Sequence, residues 1–305
     1  MITLLTGGTG GVKLLLGLCQ LLPQRELCVI VNTAEDLWLP HGHFSPDVDT
    51  VLYALAGILD ESRWYGIRGD TYTTHRRLKE LGCEEYLRIG DLDRATHIVR
   101  GELLRRGFTL EEATRRMAER MGIEAQVLPM SNQRVSTVIH TPRGRMNLQE
   151  WLVKHAAEPE VTGVSYEGGR TACGACVRAL ERSDAIIIGP SNPVTSIMPI
   201  LRLENLAEVL RRRRHRAVAV SPLVRGRPFS GPADVLMRAA RIPPESESIA
   251  RLYREYCGTF VVDSGEAGFE VPGMRLLRTS TLMQTREQMR GLAGYLLEVL
   301  GVETP

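Results

Sequence analysis

The chain opens on a short apolar run, Ile2 to Leu5, and returns to that pattern several times. Leu27 to Val31, Ala185 to Ile188, Ala217 to Val220 and Phe260 to Val262 are each short and apolar throughout. Small or polar residues follow each run ("NTAED", "GPSNP", "SPLVRG", "DSGE"), and a helical stretch comes next. Unbroken apolar runs mark strands covered on both faces, whereas half-exposed strands alternate. The pattern predicts an α/β fold: a Rossmann-like, doubly wound, mostly parallel sheet. Ligands of such sheets lie beyond the carboxyl ends of the strands.

Helical spacing appears over Leu14 to Leu22 and again in "SPDVDTVLYALAGILD". In the second stretch Val48, Val51, Leu52, Leu55, Ile58 and Leu59 share one face, and Ser45-Pro46 is a start signal. From about 70 to 170 the strand rhythm stops. Asp91 reads as the cap of one helix, and Thr109-Leu-Glu-Glu112 reads as a capping box after Gly107. "VSTVIHT" and "RGRMNLQEW" read as a small hairpin. The expectation is one domain over 1–305, with a mostly helical insertion at about 70–170 covering the strand ends.

Composition changes this picture little. With 43% hydrophobic and 24% charged residues the chain has ordinary globular balance. A net charge of +2 gives no broad field for nucleic acid or an anionic membrane. The one strong basic cluster, Arg211 to Arg214, ends a helix-like stretch, where cations complement the helix dipole. Of the 6 cysteines, Cys19 and Cys28 lie in apolar runs. Cys173 and Cys176 have metal or redox spacing but no second pair completes a zinc site, so they read as incidental. The N-terminal run lacks a basic flank, and no apolar segment reaches the ~20 residues that span a bilayer. A reduced, cytoplasmic protein is expected.

The candidate chemistry lies at strand ends. Gly7, Gly8, Thr9, Gly10 and Gly11 follow the first strand, yet Val12 and Lys13 break both the dinucleotide fingerprint and the P-loop. Glycines before a helix start still suit an anion, through close backbone approach and unpaired N–H groups. Asp36, Asp47 and Asp49 form an acidic set. Asp47 and Asp49 can serve simply as first-turn acids, but Asp36 ends a strand, which favours a magnesium site beside a substrate phosphate. Whether Asp47 or Asp49 is the ligand stays open. His41 and His43 flank Gly42 without an evident third ligand, and no nucleophile elbow appears. Arg88 precedes a charged helical stretch and can reach the cleft. Ser191 and Asn192 in "GPSNP" suit a base, ribose or phosphate, and suit a simple turn equally well.

Together "GGTGG.K", "NTAEDLW", "SPDVDTVLY", "WYGI..DT", "GDLDRATHIVR", "LPMS", "IGPSNPVTSI" and "VAVSPLV.G.P.SGPA" resemble the 2-phospho-L-lactate transferase family, from residue 1 to about 285. The resemblance implies a magnesium-dependent transferase of coenzyme F-420 biosynthesis, and a homodimer. Its donor would be lactyl-2-diphospho-5'-guanosine or the enolpyruvoyl analogue. Its acceptor would be 7,8-didemethyl-8-hydroxy-5-deazariboflavin (Fo), whose ribityl hydroxyl displaces guanosine monophosphate. It carries acceptor binding to Asp49 and Arg88. With the residue reading it assigns catalysis and metal to Asp36 and Asp49, and the donor to Gly8, Thr9, Gly10, Gly11, Ser191 and Asn192. Phosphoryl transfer asks for positioning and charge neutralisation, so no nucleophilic side chain is needed. A regulatory branch of the superfamily, binding nucleotide sugars without turnover, shares the GGTG opening; "SPDVDT" and "GDLDRATH" favour the transferase.

Overall fold

The computed structural model describes residues 1–228 and 231–303. Phe229 and Ser230, within the quoted "VAVSPLV.G.P.SGPA" segment, lie outside the described residues. Seven parallel strands form the central sheet: β1 (Ile2–Thr6), β2 (Leu27–Val31), β3 (Gln126–Pro129), β4 (Ala185–Ile188), β5 (Ala217–Val220), β6 (Thr259–Asp263) and β7 (Arg275–Thr279). Their spatial order is β7-β6-β5-β4-β1-β2-β3. Leu4 pairs with Val29 of β2 on one side and with Ile187 of β4 on the other.

The unbroken apolar strands have the expected cause. Leu27, Val29 and Val31 enter the core on one face of the sheet, while Cys28 and Ile30 enter the core on the other. Ala185 and Ile187 divide from Ile186 and Ile188 in the same way. One core is closed by α1 (Gly8–Leu18), α2 (Pro46–Leu55) and the final helix Arg286–Val299. Helices Gly174–Arg182, Glu204–Arg212, Ala233–Ala239 and Ser246–Tyr253 close the other. Fully burying an aliphatic side chain such as Ile187 contributes about 1.5–3 kcal/mol.

The sequence pattern did not show β3 and β7. Both are edge strands, and Arg275 and Arg278 leave β7 half exposed, so neither reads as a continuous apolar run. Because β3 belongs to the sheet, the segment from 70 to 170 is two excursions rather than one insertion. The first carries α3 (Thr73–Glu80), α4 (Asp91–Arg105) and α5 (Leu110–Arg120). The second is a three-stranded antiparallel sheet of 135–141, 144–147 and 163–168, which contains the expected hairpin. Thr109 and Glu112 form the expected capping box on α5. Asp91 caps α3 instead of its own helix, accepting the Thr73 and Thr74 N–H groups at 2.9 Å. Asp70 caps α4 by accepting the Leu92 and Asp93 N–H groups.

The cysteine and arginine clusters make contacts within the fold. Cys173 and Cys176 are buried free thiols, and Cys176 donates to the Pro129 carbonyl at 3.3 Å. Arg213 donates to the Glu181 and Ser183 carbonyls, and Arg212 pairs with Glu208 at 2.8 Å. Among the described residues no helix is long and apolar enough to cross a membrane.

Candidate active site

Strand order reverses between β1 and β4, so the loops after these two strands face one crevice. Two joined cavities occupy it. The larger, about 410 Å³, has Phe44, Trp64, Tyr65, Tyr86 and Leu152 among its walls, with Asp49 and Arg88 at its polar positions. The smaller, about 190 Å³, is lined by Gly10, Ser191, Asn192, Thr195 and Ser196, opposite Pro222 and Pro232. Gly8, Thr9, Glu35, Asp47 and Leu152 belong to both.

The glycine run is divided between ligand space and packing. Helix α1 starts at Gly8 rather than near Leu14, so the glycines form its first turn. A Cβ on Gly10 would lie 2.0 Å from the Pro190 carbonyl oxygen, and one on Gly11 1.6 Å from Thr6 Oγ1. Gly11 lines neither cavity; its lack of a side chain lets α1 cross β1 closely. Gly8 and Thr9 alone of the run face both cavities.

Asp47 fastens this corner. Its carboxylate accepts the Gly8 N–H at 2.7 Å and the Asn32 amide at 2.8 Å. The same Asn32 nitrogen donates to the Thr195 carbonyl at 3.2 Å, so loops after β1, β2 and β4 are tied through two side chains. Burial pushes the Asp47 carboxyl up to about 6, although both hydrogen bonds oppose it. Burial also lifts Glu35 well above the carboxylate range, and the charge of Asp47 adds to it. Neither carboxylate has an ion pair among the described residues.

Asp36 and Asp49 do not form the expected carboxylate pair. Asp36 lines neither cavity: it accepts the Ser45 hydroxyl at 2.7 Å and lies 3.9 Å from His43. Burial raises its carboxyl well above the ordinary range. Asp49 faces the larger cavity, but both terminal nitrogens of the fully buried Arg100 donate to its carboxylate. His97 Nε2 lies 3.3 Å from Asp49 and 3.1 Å from Asp93, which accepts the Tyr53 hydroxyl at 2.7 Å. Burial alone would raise Asp49; Arg100 and His97 outweigh it and hold it down to about 2. Asp49, Asp93 and His97 bring ligand atoms within 4.8 Å of one another. Asp49 is nevertheless already paired with the Arg100 guanidinium, while Asp49 and Asp93 raise the His97 imidazole against its burial. A hard divalent ion fits the Glu35–Asp47 corner better, where a buried and a half-buried carboxylate have no ion pair among the described residues.

Arg88 is exposed at the cavity mouth, its guanidinium 4.3 Å from the Tyr72 ring centre. Ser191 Oγ accepts the Gly7 N–H at 3.3 Å, and Asn192 Oδ1 accepts from Val194 at 2.9 Å. Ser191 and Asn192 thus brace a turn and also line the smaller cavity. His41 and His43 line neither cavity, and burial lowers both to about 4. Sequence reading missed Glu35, Trp64, Arg100 and His97. Arg100 and His97 follow Asp93 at helical spacing, the only local signal that they share its face.

A family model described as 2-phospho-L-lactate transferase CofD matches residues 2–275. A 2-phospho-L-lactate transferase of Methanosarcina acetivorans is 45% identical over 301 residues, covering 96% of this chain and 97% of the relative. One from Methanocaldococcus jannaschii is 41% identical, with 99% and 98% covered. A crystal structure of a UPF0052 family protein from Bacillus halodurans superposes with a TM-score of 0.59 at 14% identity, covering 97% of this chain and 98% of that one. That likeness speaks for the fold alone. Matches at this identity along almost the whole length place the chain in the 2-phospho-L-lactate transferase family.

Proposed function

We propose that the chain transfers the phospho-acid of a guanosine diphosphate-linked donor to the ribityl hydroxyl of Fo, releasing guanosine monophosphate, in coenzyme F-420 biosynthesis. One observation carries this reading: an aromatic cavity and a polar cavity share a wall made of Gly8, Thr9, Glu35 and Asp47. A planar acceptor suits the first and a nucleotide donor the second, so the donor's phosphorus and the acceptor's hydroxyl would meet at that wall.

In the reaction the ribityl oxygen forms a bond to the phosphorus bearing the acid. The bond from that phosphorus to the bridging oxygen breaks, guanosine monophosphate leaves, and the hydroxyl proton is lost to water. Asp49, kept ionised by Arg100, accepts a hydrogen bond from the hydroxyl and orients it. With its pKa near 2 it is a weak base, and a loose phosphoryl-transfer transition state asks for little more. Backbone N–H groups of the first turn of α1 face the diphosphate. Arg88 supplies a cation at the acceptor end. Ser191 and Asn192 line the nucleotide end, where they would read guanine. Magnesium held by Glu35 and Asp47 would neutralise charge on the diphosphate. A homodimer belongs to the same reading, and sedimentation of the purified chain tests it.

The test is to incubate the chain with Fo, magnesium and either the lactyl or the enolpyruvoyl donor, and to read product masses. A phospho-acid ester of Fo with stoichiometric guanosine monophosphate is expected. Binding of a donor without product would instead favour the regulatory branch.

A further inference from the structure

Trp64 has a left-handed backbone, with φ at +61°, a conformation disfavoured for a bulky side chain. The surrounding loop enforces it. The Asp60 carbonyl accepts the Trp64 N–H at 2.8 Å, Asp60 N–H donates to Gly66 at 3.0 Å, and Leu59 bridges Ile67. Strain held by its surroundings is often tied to function. Here it sets the Trp64 indole into the wall of the larger cavity. Lys13, from the buried side of α1, brings its ammonium to 4.5 Å from the indole centre. The "GGTGG.K" and "WYGI" segments therefore meet, through two residues to which the proposed reaction gives no role.

The ammonium draws indole electron density towards itself, and the part of the indole that lines the cavity can meet a flat partner. Offset stacking is the favoured arrangement of two such rings. Phe44, Tyr65 and Tyr86 line the same cavity, so a planar ring would find aromatic neighbours on several sides. We propose that Trp64 is the specificity-determining wall of the acceptor cavity, stacking on the acceptor's tricyclic ring, and that Lys13 is a positioning residue that fixes and polarises the indole. This rests on the larger cavity being the acceptor site. The polarised indole selects an electron-rich ring, so Fo with its phenolic oxygen should bind better than riboflavin.

The experiment titrates Fo and riboflavin into the full chain by fluorescence, with guanosine diphosphate affinity measured by calorimetry as a control. The variants are Trp64→Gly, Trp64→Phe and Lys13→Met. Glycine accepts the left-handed backbone, so Trp64→Gly should fold with a lowered melting temperature from lost packing, while weakening Fo at least tenfold and leaving guanosine diphosphate affinity unchanged. Trp64→Phe keeps a ring and should stay within about threefold of wild type. Lys13→Met keeps the aliphatic stem and should lessen the preference for Fo over riboflavin, raising KM for Fo more than it lowers kcat. Fo affinity within twofold of wild type in Trp64→Gly overturns the inference, as does an equal loss in Trp64→Phe. A wild-type chain that binds neither ring overturns the acceptor reading itself, which separates the two failures.

Discussion

Arg100 and Asp49 form a two-pronged ion pair across two helices, with Nη1 donating to Oδ2 at 3.1 Å and Nη2 to Oδ1. The Arg100 side chain is fully buried, and its Nη1 also donates to the His43 carbonyl at 2.9 Å. Asp49 is thus both a cavity residue and the countercharge that makes a buried guanidinium tolerable.

Asp49→Asn should therefore damage the fold as well as turnover, because it leaves Arg100 charged and unpaired. Breaking one side of a buried pair costs about 3–5 kcal/mol. Denaturant unfolding of Asp49→Asn, Arg100→Met and the double variant Asp49→Leu with Arg100→Met checks this. The double variant should recover stability but remain inactive. Wild-type stability in Asp49→Asn would show that the pair contributes nothing.

The Asp47 carboxyl predicts a pH effect of definite sign. Its folded-state value, about 6, lies above the ordinary 3.8, so the folded chain binds more protons between those values. The Asp47 contribution must then fall as pH rises from about 4 to 6, whereas His41 and His43, lowered to about 4, contribute with the opposite sign over the same window. Asp49, held near 2, acts with the opposite sign, and only below about 4. In chelator, the melting temperature of the wild type relative to Asp47→Asn should drop over that window, and the relative drop should shrink with millimolar magnesium. Profiles of the wild type and Asp47→Asn that run parallel in chelator would remove Asp47 as a strained carboxylate.

Gly10 and Thr9 should separate packing from ligand binding. Gly10→Val drives a side chain into the Pro190 carbonyl and should give insoluble or strongly destabilised protein. Thr9→Val lines both cavities without such a clash and should fold normally while weakening donor binding several-fold. Circular dichroism and calorimetry with guanosine diphosphate distinguish the two.

Arg88→Ala removes an exposed cation at the cavity mouth, so stability should change by less than about 0.5 kcal/mol. Fo binding should weaken about tenfold, and Arg88→Lys should recover most of it. Fluorescence titration at low and high salt reads the effect, because an exposed cation acts through a screened field. Unchanged Fo affinity in Arg88→Ala would take this residue out of the acceptor site.

Sheet class and five of the seven strands were legible in the chain because burial on both faces leaves a local mark: β1, β2, β4, β5 and β6 are apolar at almost every position. Glycines after β1 and acids opening α2 stood out along the chain because strand ends and helix starts carry local signals, and Gly8, Thr9, Asp47 and Asp49 do line the crevice. The roles within that site did not. Asp36 and Asp47 look alike along the chain, yet one turns to Ser45 and the other joins the Gly8 N–H to Asn32. Gly10 and Gly11 look like ligand glycines, yet each clears a neighbouring strand or loop. Arg100 meets Asp49 only because α4 packs beside α2, and Lys13 meets Trp64 only because a closed loop folds over α1. Hydrophobic periodicity reports how each segment is covered. Which charges meet under that cover depends on distances between segments remote in sequence, and only the tertiary structure decides them.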